Sequence, residues 1–386
     1  MTKRKIAVSL SPLGLLAVTA CGGGGTSSNV NFASGFAQKG PLSNALVYID
    51  YDDPNLPNGP TVRTGSDGSF KLAILNNNYT IVAITDDTTI DASSGSVFSG
   101  VTFKAYSGAT IVTPTTTLMG ESGLTAAQVN KVLGLQSHID ILNFNAFAAN
   151  VNAADALAVE IANHQIMVVI NAFAAAAEGS GASQQNAFTT VLDSVVTVMK
   201  EKVIENISLD LTNAAHLAEI KTQVTDDVSS LSGANTAAFV AMADATATAI
   251  ENVNVKIAAV TDLTSDLTKN IFSTTGVLMD QVKTAVSNEL LGVTGVIKFT
   301  LIEELDTAAG NKTPTDITLD SISVREDTGS LVIGTVNTTD IDQSADGAFT
   351  YAIAEVADSD HLSFNIDQAT GELSLLDLPD FETKSS

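Results

Sequence analysis

The sequence has very little of the material from which several kinds of functional site are built. Its 386 residues include one cysteine, four histidines and no tryptophan. A single cysteine excludes an internal disulfide and any zinc site made of cysteines. Four scattered histidines offer little for acid–base catalysis, because histidine is the side chain that titrates near neutral pH.

Catalytic motifs are missing as well. The sequence contains no G-x-S-x-G, no H-E-x-x-H, no Walker loop and no dinucleotide-binding glycine loop. The sequence does not exclude a carboxylate pair for glycoside hydrolysis, because the distance between two such carboxylates is set by the fold and not by their spacing in the sequence. We therefore expect a protein that is not an enzyme.

Positive charge is scarce. The chain has 18 Lys and Arg against 43 Asp and Glu, and its formal net charge is −25. Such a balance argues against binding to nucleic acid and against electrostatic docking on anionic lipid. It suits an extracellular protein that uses divalent cations.

The first twenty residues have the pattern of an export signal. Basic residues at positions 3–5 precede a mostly apolar segment that ends at Ala20 and is too short to span a bilayer. The sequence Leu16-Ala17-Val18-Thr19-Ala20-Cys21 resembles a bacterial lipobox. That resemblance implies cleavage before Cys21 and lipid attachment to its sulfur; the alternative is a buried structural cysteine.

The residue after the cysteine bears on the location of the protein. Gly22 at this position resembles the outer-membrane sorting pattern, which implies a lipid-anchored protein of the outer membrane that faces the exterior. Residues 21–34 are rich in Gly and Ser, so we expect a flexible tether there.

Residues 35–112 have the alternation of short β-strands. Strand-like runs are separated by loops rich in Pro, Asn and Gly. The motifs KGPLSNALVYID, TGSDGSFKL and YTIVAI resemble a carboxypeptidase-regulatory or Cna-B-like β-sandwich, which implies a spacer module. Lys39 lies near its start, and we expect this side chain to be solvated.

The middle of the chain, residues 113–306, is rich in Ala and lacks proline between Pro114 and Pro314. Because proline costs about 3 kcal/mol inside a helix, this composition predicts an all-α helical bundle. Glycine clusters divide it into helices near 124–134, 152–178, 185–206, 212–231, 235–260 and 262–291.

Two apolar stripes in this region have helical spacing. They comprise Phe188, Val191, Leu192, Val195, Met199 and Val203, and then Leu263, Leu267 and Ile271. We interpret both as core, although a surface for a ligand or a partner helix would show the same pattern. His164 and His216 lack a Glu-x-x-His arrangement, so we expect packed or surface histidines rather than metal ligands.

Residues 311–386 return to strand-like alternation, at Ile317 and Leu319 and again at Leu373 and Leu375. The motifs TPTDITL, SVREDTG, IGTVNTTDID, TYAI, FNIDQATGELSL and LPDFET, in this order, resemble a bacterial cadherin-like domain. The resemblance implies an Ig-like β-sandwich stiffened by calcium. The family's last strands are missing after residue 386, so we expect an incomplete domain.

The resemblance also implies a set of calcium ligands. Glu326 takes the first acidic position, Asp340 and Asp342 form a D-x-D pair, and Asp380 and Glu382 form a D-x-E pair. Carboxylate oxygens are the ligands that Ca²⁺ takes. The alternative for each of the five is an ordinary solvated side chain at the end of a strand.

Taken together, the sequence predicts a multidomain α and β protein with two β-sandwiches flanking a helical bundle. The function we expect is calcium-dependent adhesion at the cell surface, with other surface molecules or the same protein on another cell as partners. One alternative is a surface or periplasmic binding protein whose bundle recognises a ligand or partner. Another is the anchor region of a larger secreted enzyme.

Overall fold

A computed structural model describes residues 31–51, 53, 56, 58–293, 316–320, 331–339, 349, 351–353 and 363–376. Within them, β-sheets occupy the N-terminal region, seven helices occupy the middle, and a small sheet lies near the C-terminus. The predicted succession of β, α and β regions is confirmed at this coarse level.

The N-terminal sheets, here the β unit (31–112), are built from short strands joined by tight turns. Their bounds are β1 (Asn31–Ala37), β2 (Leu42–Ser43), β3 (Leu46–Asp50), β4 (Thr61–Arg63), β5 (Ser69–Ile74), β6 (Thr80–Ile84), β7 (Ile90–Asp91), β8 (Ser96–Val97), β9 (Thr102–Tyr106) and β10 (Ile111–Val112). The sheet orders are β10-β1-β5, β2-β7-β8 and β4-β3-β6-β9.

The first strand corrects the predicted tether. The tether was expected to run through residue 34, but Asn31 already pairs with Ile74 and Ser34 pairs with Lys71 in the antiparallel β1–β5 ladder. The main-chain groups of a polar segment can join a sheet when a partner strand is at hand, because the ladder bonds do not depend on side-chain polarity. The prediction was therefore wrong for residues 31–34.

The helices that follow, here the helical unit (114–290), are capped by side chains at their N-termini, with the exception of α4. Their bounds are α1 (Pro114–Ser122), α2 (Ala126–Val132), α3 (Ala153–Gly179), α4 (Gln184–Glu205), α5 (Ala214–Ser229), α6 (Thr236–Ala258) and α7 (Asp266–Leu290). Asn152, Asn213 and Asn235 each accept main-chain N–H groups at the start of a helix, which satisfies donors that would otherwise be orphaned.

Six of these helices fall where the glycine clusters predicted them, and α1 was missed. Three threonines follow Pro114, and β-branched residues are weak helix formers, so the sequence gives little helical signal there. The helix forms because Thr113 and Thr116 make a reciprocal capping box and Pro114 fits the first turn.

Helix α3 is the centre of the helical unit, and it packs against α4, α6 and α7. It is the one described helix long and apolar enough to cross a membrane, but 78% of its most apolar window is buried inside the protein. Packing within the fold accounts for these apolar side chains. The core that they join is continuous with that of the β unit, since Ala37 and Phe103 belong to the same cluster as Phe173.

The first predicted stripe is confirmed as core, because Phe188, Val191 and Met199 on α4 are buried. The second was wrong at Leu267, whose side chain is 70% exposed. Helix α7 instead turns Phe272, on its second turn, into the core.

The C-terminal strands are β11 (Asp316–Leu319), β12 (Val332–Thr339), β13 (Phe364–Ile366) and β14 (Glu372–Leu375). They form one antiparallel sheet in the order β11-β12-β14-β13. The predicted strands around Leu319 and Leu373 are thus present. The turn before β14 places Gly371 at a φ of +71°, where glycine is favoured.

Two helical glycines give a test of close packing. A Cβ at Gly179 would lie 2.5 Å from the carbonyl oxygen of Lys283 on α7, whereas a Cβ at Gly276 would meet nothing within 4 Å. We expect Gly179→Ala to lower the free energy of unfolding by about 1–3 kcal/mol. The matched Gly276→Ala should raise it by up to about 1 kcal/mol. Urea titrations measure both, and equal effects of the two changes would contradict the close α3–α7 contact.

Candidate functional site

A group of buried polar side chains lies where the β unit meets the helical unit. We call it the polar junction, and its members are Lys39, Asp91, Ser93, Glu160 and His164. The first three come from loops and strand ends of the β unit, whereas Glu160 and His164 lie one turn apart on α3. All five side chains are almost completely removed from solvent.

The centre of the junction is an ion pair. Lys39 Nζ donates to Asp91 Oδ2 at 2.7 Å, and the two side chains are 2% and 0% exposed. Asp91 Oδ1 accepts from the main-chain N–H of Ser93 at 2.9 Å and from its hydroxyl at 2.6 Å. Burial alone would raise the pKa of Asp91, but the Lys39 charge and the Ser93 hydrogen bonds lower it below its ordinary value. Asp91 is therefore a carboxylate.

Glu160 reaches the junction from α3. Its Oε2 accepts from the main-chain N–H of Gly40 at 3.0 Å, and its Oε1 accepts from the side-chain amide of Asn163 at 3.1 Å. Complete burial, reinforced by the nearby charge of Asp91, raises the pKa of Glu160 to about 8; Asn163 and Lys39 act in the opposite direction. Glu160 is consequently protonated at neutral pH.

His164 is held between an aromatic ring and two polar groups. Its ring stacks on Phe272 with 3.5 Å between ring centroids. Nδ1 lies 2.9 Å from the main-chain oxygen of Glu160, so it carries the proton and donates. Nε2 lies 3.1 Å from the hydroxyl oxygen of Ser93. Burial, followed by the charge of Lys39, lowers the pKa of His164 to about 3, which leaves the ring neutral.

These charge states decide what the junction can do chemically. One cation and one anion face two neutral groups, so the cluster carries no net charge. The Ser93–His164 contact has the distance of a nucleophile and its base, but the Ser93 hydroxyl is closer to Asp91, and a histidine with a pKa of about 3 is a weak base at neutral pH. The arrangement is suited to joining two structural units.

One further hydrogen bond crosses between the two units, and another braces α3 within the helical unit. The Thr115 hydroxyl of α1 donates to Asn163 on α3 at 2.7 Å. Gln38, beside Lys39, donates to Asn145 at 2.8 Å. Gln38 therefore adds a further contact from the β unit to the helical unit, and Thr115 holds the side chain of Asn163, which itself donates to Glu160.

Two cavities flank the junction. The smaller, here the junction cavity, measures about 180 Å³ and is lined by Lys39, Ser94, Phe98, Phe272, Thr275 and Asp280, among others. The larger, here the apolar cleft, measures about 540 Å³ and is lined by Pro41, Ala92, Ser93, Phe147, Leu157 and Leu263, among others. Residues of the junction thus reach two separate concave surfaces.

The residues predicted to ligate calcium lie outside the described residues, as does Cys21. The five carboxylates are Glu326, Asp340, Asp342, Asp380 and Glu382. Among the residues that the structure does describe, no group of three or more His, Cys, Asp or Glu side chains could hold a metal ion. The calcium and lipid sites remain predictions.

One of the two histidines considered in the sequence analysis is packed in the protein, and the other lies near the surface. His164 is packed in the polar junction, and His216 is partly exposed with its Nδ1 3.0 Å from the main-chain nitrogen of Asp210. The expectation for Lys39 was wrong, because this side chain is buried rather than solvated. A lysine in a loop after a strand is usually solvated, and only the distant Asp91 and Phe98 change that.

Sequence reasoning missed the junction as a whole. One signal was available, since Glu160, Asn163 and His164 share one face of a segment that is otherwise apolar. Comparisons of this chain with protein-family profiles, curated proteins and solved structures found no match. Its function is therefore argued from its own residues.

The ion pair leads to a stability prediction. Lys39→Met leaves the buried Asp91 carboxylate without its counterion, so we expect the free energy of unfolding to fall by about 3–5 kcal/mol. Lys104→Met is the matched control, because Lys104 pairs with Glu121 at the surface, where the side chains are 44% and 28% exposed. Its cost should be about 1 kcal/mol or less. Chemical denaturation of both variants measures the difference, and equal costs would argue against a buried pair.

Glu160 leads to a pH prediction. An ordinary glutamate in the unfolded chain ionises near 4.5, whereas folded Glu160 keeps its proton up to about 8, so stability should fall as pH rises between these values. Neutral His164 has the opposite effect, but only below its ordinary pKa of 6.5. Between pH 6.5 and 8 we therefore expect a loss of about 2 kcal/mol from Glu160.

The measurement is urea denaturation at several pH values across this window. Glu160→Gln, which cannot ionise, should remove the decline. Glu201→Gln, at an exposed position of α4, should leave it in place. A decline that persists unchanged in Glu160→Gln would assign it to other groups.

Proposed function

We propose that this chain is a lipid-anchored protein of the outer bacterial surface that acts in calcium-dependent adhesion and has no catalytic role. Cys21 would carry the lipid, and the β unit, as a β-sandwich spacer, would hold the helical unit away from the membrane. The C-terminal region would be a cadherin-like sandwich that binds Ca²⁺ and meets other surface molecules or a second copy on another cell.

The observation that carries this proposal is the continuous core and polar junction between the β unit and the helical unit. The Gly40–Glu160 and Gln38–Asn145 hydrogen bonds cross between the two units. They lie beside the buried Lys39–Asp91 ion pair of the β unit, so the units cannot separate without losing these contacts. A rigid base of this kind is suited to transmitting force between an anchor and an adhesive module.

The C-terminal strands support the same proposal. Strands β11, β12, β13 and β14 coincide with the quoted cadherin-like motifs DITL, IGTVNTT, FNI and ELSL. An antiparallel sheet is the arrangement that an Ig-like sandwich requires. Calcium would act by neutralising and bridging carboxylates that repel one another without metal.

A second candidate function is recognition of a ligand or partner by the helical unit. The apolar cleft favours it, because its volume of about 540 Å³ and its mostly apolar lining are typical of small-molecule sites. The two functions are compatible, since the cleft and the C-terminal sheet are built from different residues.

The calcium proposal is tested by thermal unfolding of the full-length protein in millimolar Ca²⁺ and then in chelator. A metal that binds only the folded state stabilises it by about 2.7 kcal/mol at one hundred times its dissociation constant, so the melting temperature should rise. Asp380→Asn with Glu382→Gln should remove most of the rise, because both ligands of the D-x-E pair are then weakened.

The matched control is Asp358→Asn with Asp360→Asn, a second acidic pair of the same region that lies outside the quoted motifs. It should leave the calcium effect intact. An equal loss in both double variants would mean that calcium acts on net charge alone. An unchanged melting temperature in the native protein would contradict calcium binding altogether.

A further inference from the structure

Lys39, one of the residues lining the junction cavity, carries a buried ammonium group that can donate more hydrogen bonds than the one to Asp91. Lys39 Nζ donates to Asp91 at 2.7 Å and lies 4.8 Å from the centre of the Phe98 ring. An ammonium group has three N–H donors, and one of them serves Asp91. The cavity reaches this same side chain.

A second polar group on the cavity wall has no hydrogen-bond partner among the residues that the structure describes. Thr275 of α7 is 4% exposed, and its hydroxyl makes no hydrogen bond within the described protein. Buried hydroxyl groups are nearly always hydrogen-bonded, and leaving one unsatisfied costs about 1–3 kcal/mol. Thr275 and Lys39 thus offer donors on two walls of one cavity.

The rest of the lining combines further polar groups with an apolar face. Ser96 and Ser99 add hydroxyls, and Asp280 at the exposed edge adds a carboxylate acceptor. Ser94 and Ser273 donate to the main-chain oxygens of Asp91 and Asn270, so their hydroxyl oxygens are acceptors. Phe98, Phe272 and Met279 provide apolar surface. A matching molecule would carry several hydroxyl groups and one face of C–H bonds.

Charge restricts the class of ligand. Asp91 balances the charge of Lys39, and Asp280 lies at the edge of the cavity in a protein whose net charge is −25. An anion gains little here, and a cation would meet the Lys39 ammonium. The site therefore fits a neutral molecule.

The volume of the cavity restricts the class of ligand further. The cavity measures about 180 Å³. An engineered cavity of about 150 Å³ in another protein admits benzene, so the volume suffices for a six-membered ring. We propose that the junction cavity binds one neutral sugar ring of a glycan, with Lys39 and Thr275 donating to its oxygens. This site is separate from the calcium proposal, because none of its residues belongs to the cadherin-like motifs.

The test uses the full chain and four probes: the methyl glycosides of glucose, galactose, mannose and N-acetylglucosamine. Saturation-transfer NMR detects binding, and titration gives the dissociation constant. At least one glycoside should bind saturably, with a dissociation constant on the order of 1 mM, as expected for a small polar ligand. Acetate, added as a small anion, should not displace it.

Two variants place the binding in the junction cavity without weakening the fold. Thr275→Val keeps the shape of the side chain and removes a hydroxyl that has no hydrogen-bond partner among the described residues, so it should weaken binding roughly tenfold at an unchanged melting temperature. Gly276→Leu puts a side chain at the mouth, where a Cβ has open space, and should abolish binding.

The control is Thr248→Val on an exposed face of α6, which should leave the dissociation constant unchanged. Failure of all four glycosides to bind saturably would overturn the proposal. So would displacement by acetate, or binding of equal affinity in Thr275→Val, Gly276→Leu and the native protein.

Discussion

The cost of removing charge from water governs the centre of this molecule. Lys39 and Asp91 are buried together, and each ion loses several kcal/mol of hydration that only close partners can return. The surrounding groups are arranged accordingly. Ser93 donates twice to Asp91, Glu160 stays protonated, and His164 stays neutral. The position of α3 against the β unit depends on this arrangement. Glu160 and His164 can be buried there because both side chains are neutral.

The helical part of the fold could be predicted because its signals are local. The absence of proline, the glycine clusters and the stripe along α4 each depend on neighbouring residues, and the structure follows them to within a few residues. The errors lie where a tertiary contact overrides a local preference. Leu267 has the spacing of a core residue, yet Phe272 takes that role on α7, and Asn31 joins a strand because Ile74 is available to pair with it.

The candidate site could not be predicted, because its residues are far apart in the sequence. Asp91 is 52 residues from Lys39, and Glu160 is 120 residues from Gly40. No periodicity or motif connects positions so far apart, so a lysine after a strand was expected to be solvated. The polar face of α3 could be identified from the sequence, but the turns that it contacts, at Gly40 and Ser93, could not. The proposed calcium ligands arose in the opposite way, from motifs within one region of sequence.

The hydrogen bond from Gly40 to Glu160 joins the β unit to α3, so it affects both the folding of the chain during synthesis and the stability of fragments. During synthesis, Lys39 and Asp91 emerge long before α3. Closing the loop between Gly40 and Glu160 costs conformational entropy, which slows folding. A fragment cut at the end of the β unit would expose its ion pair, together with the apolar surface that α3 covers. We therefore expect the β unit and the helical unit to fold together, because the core and the polar junction extend across the boundary between strands and helices.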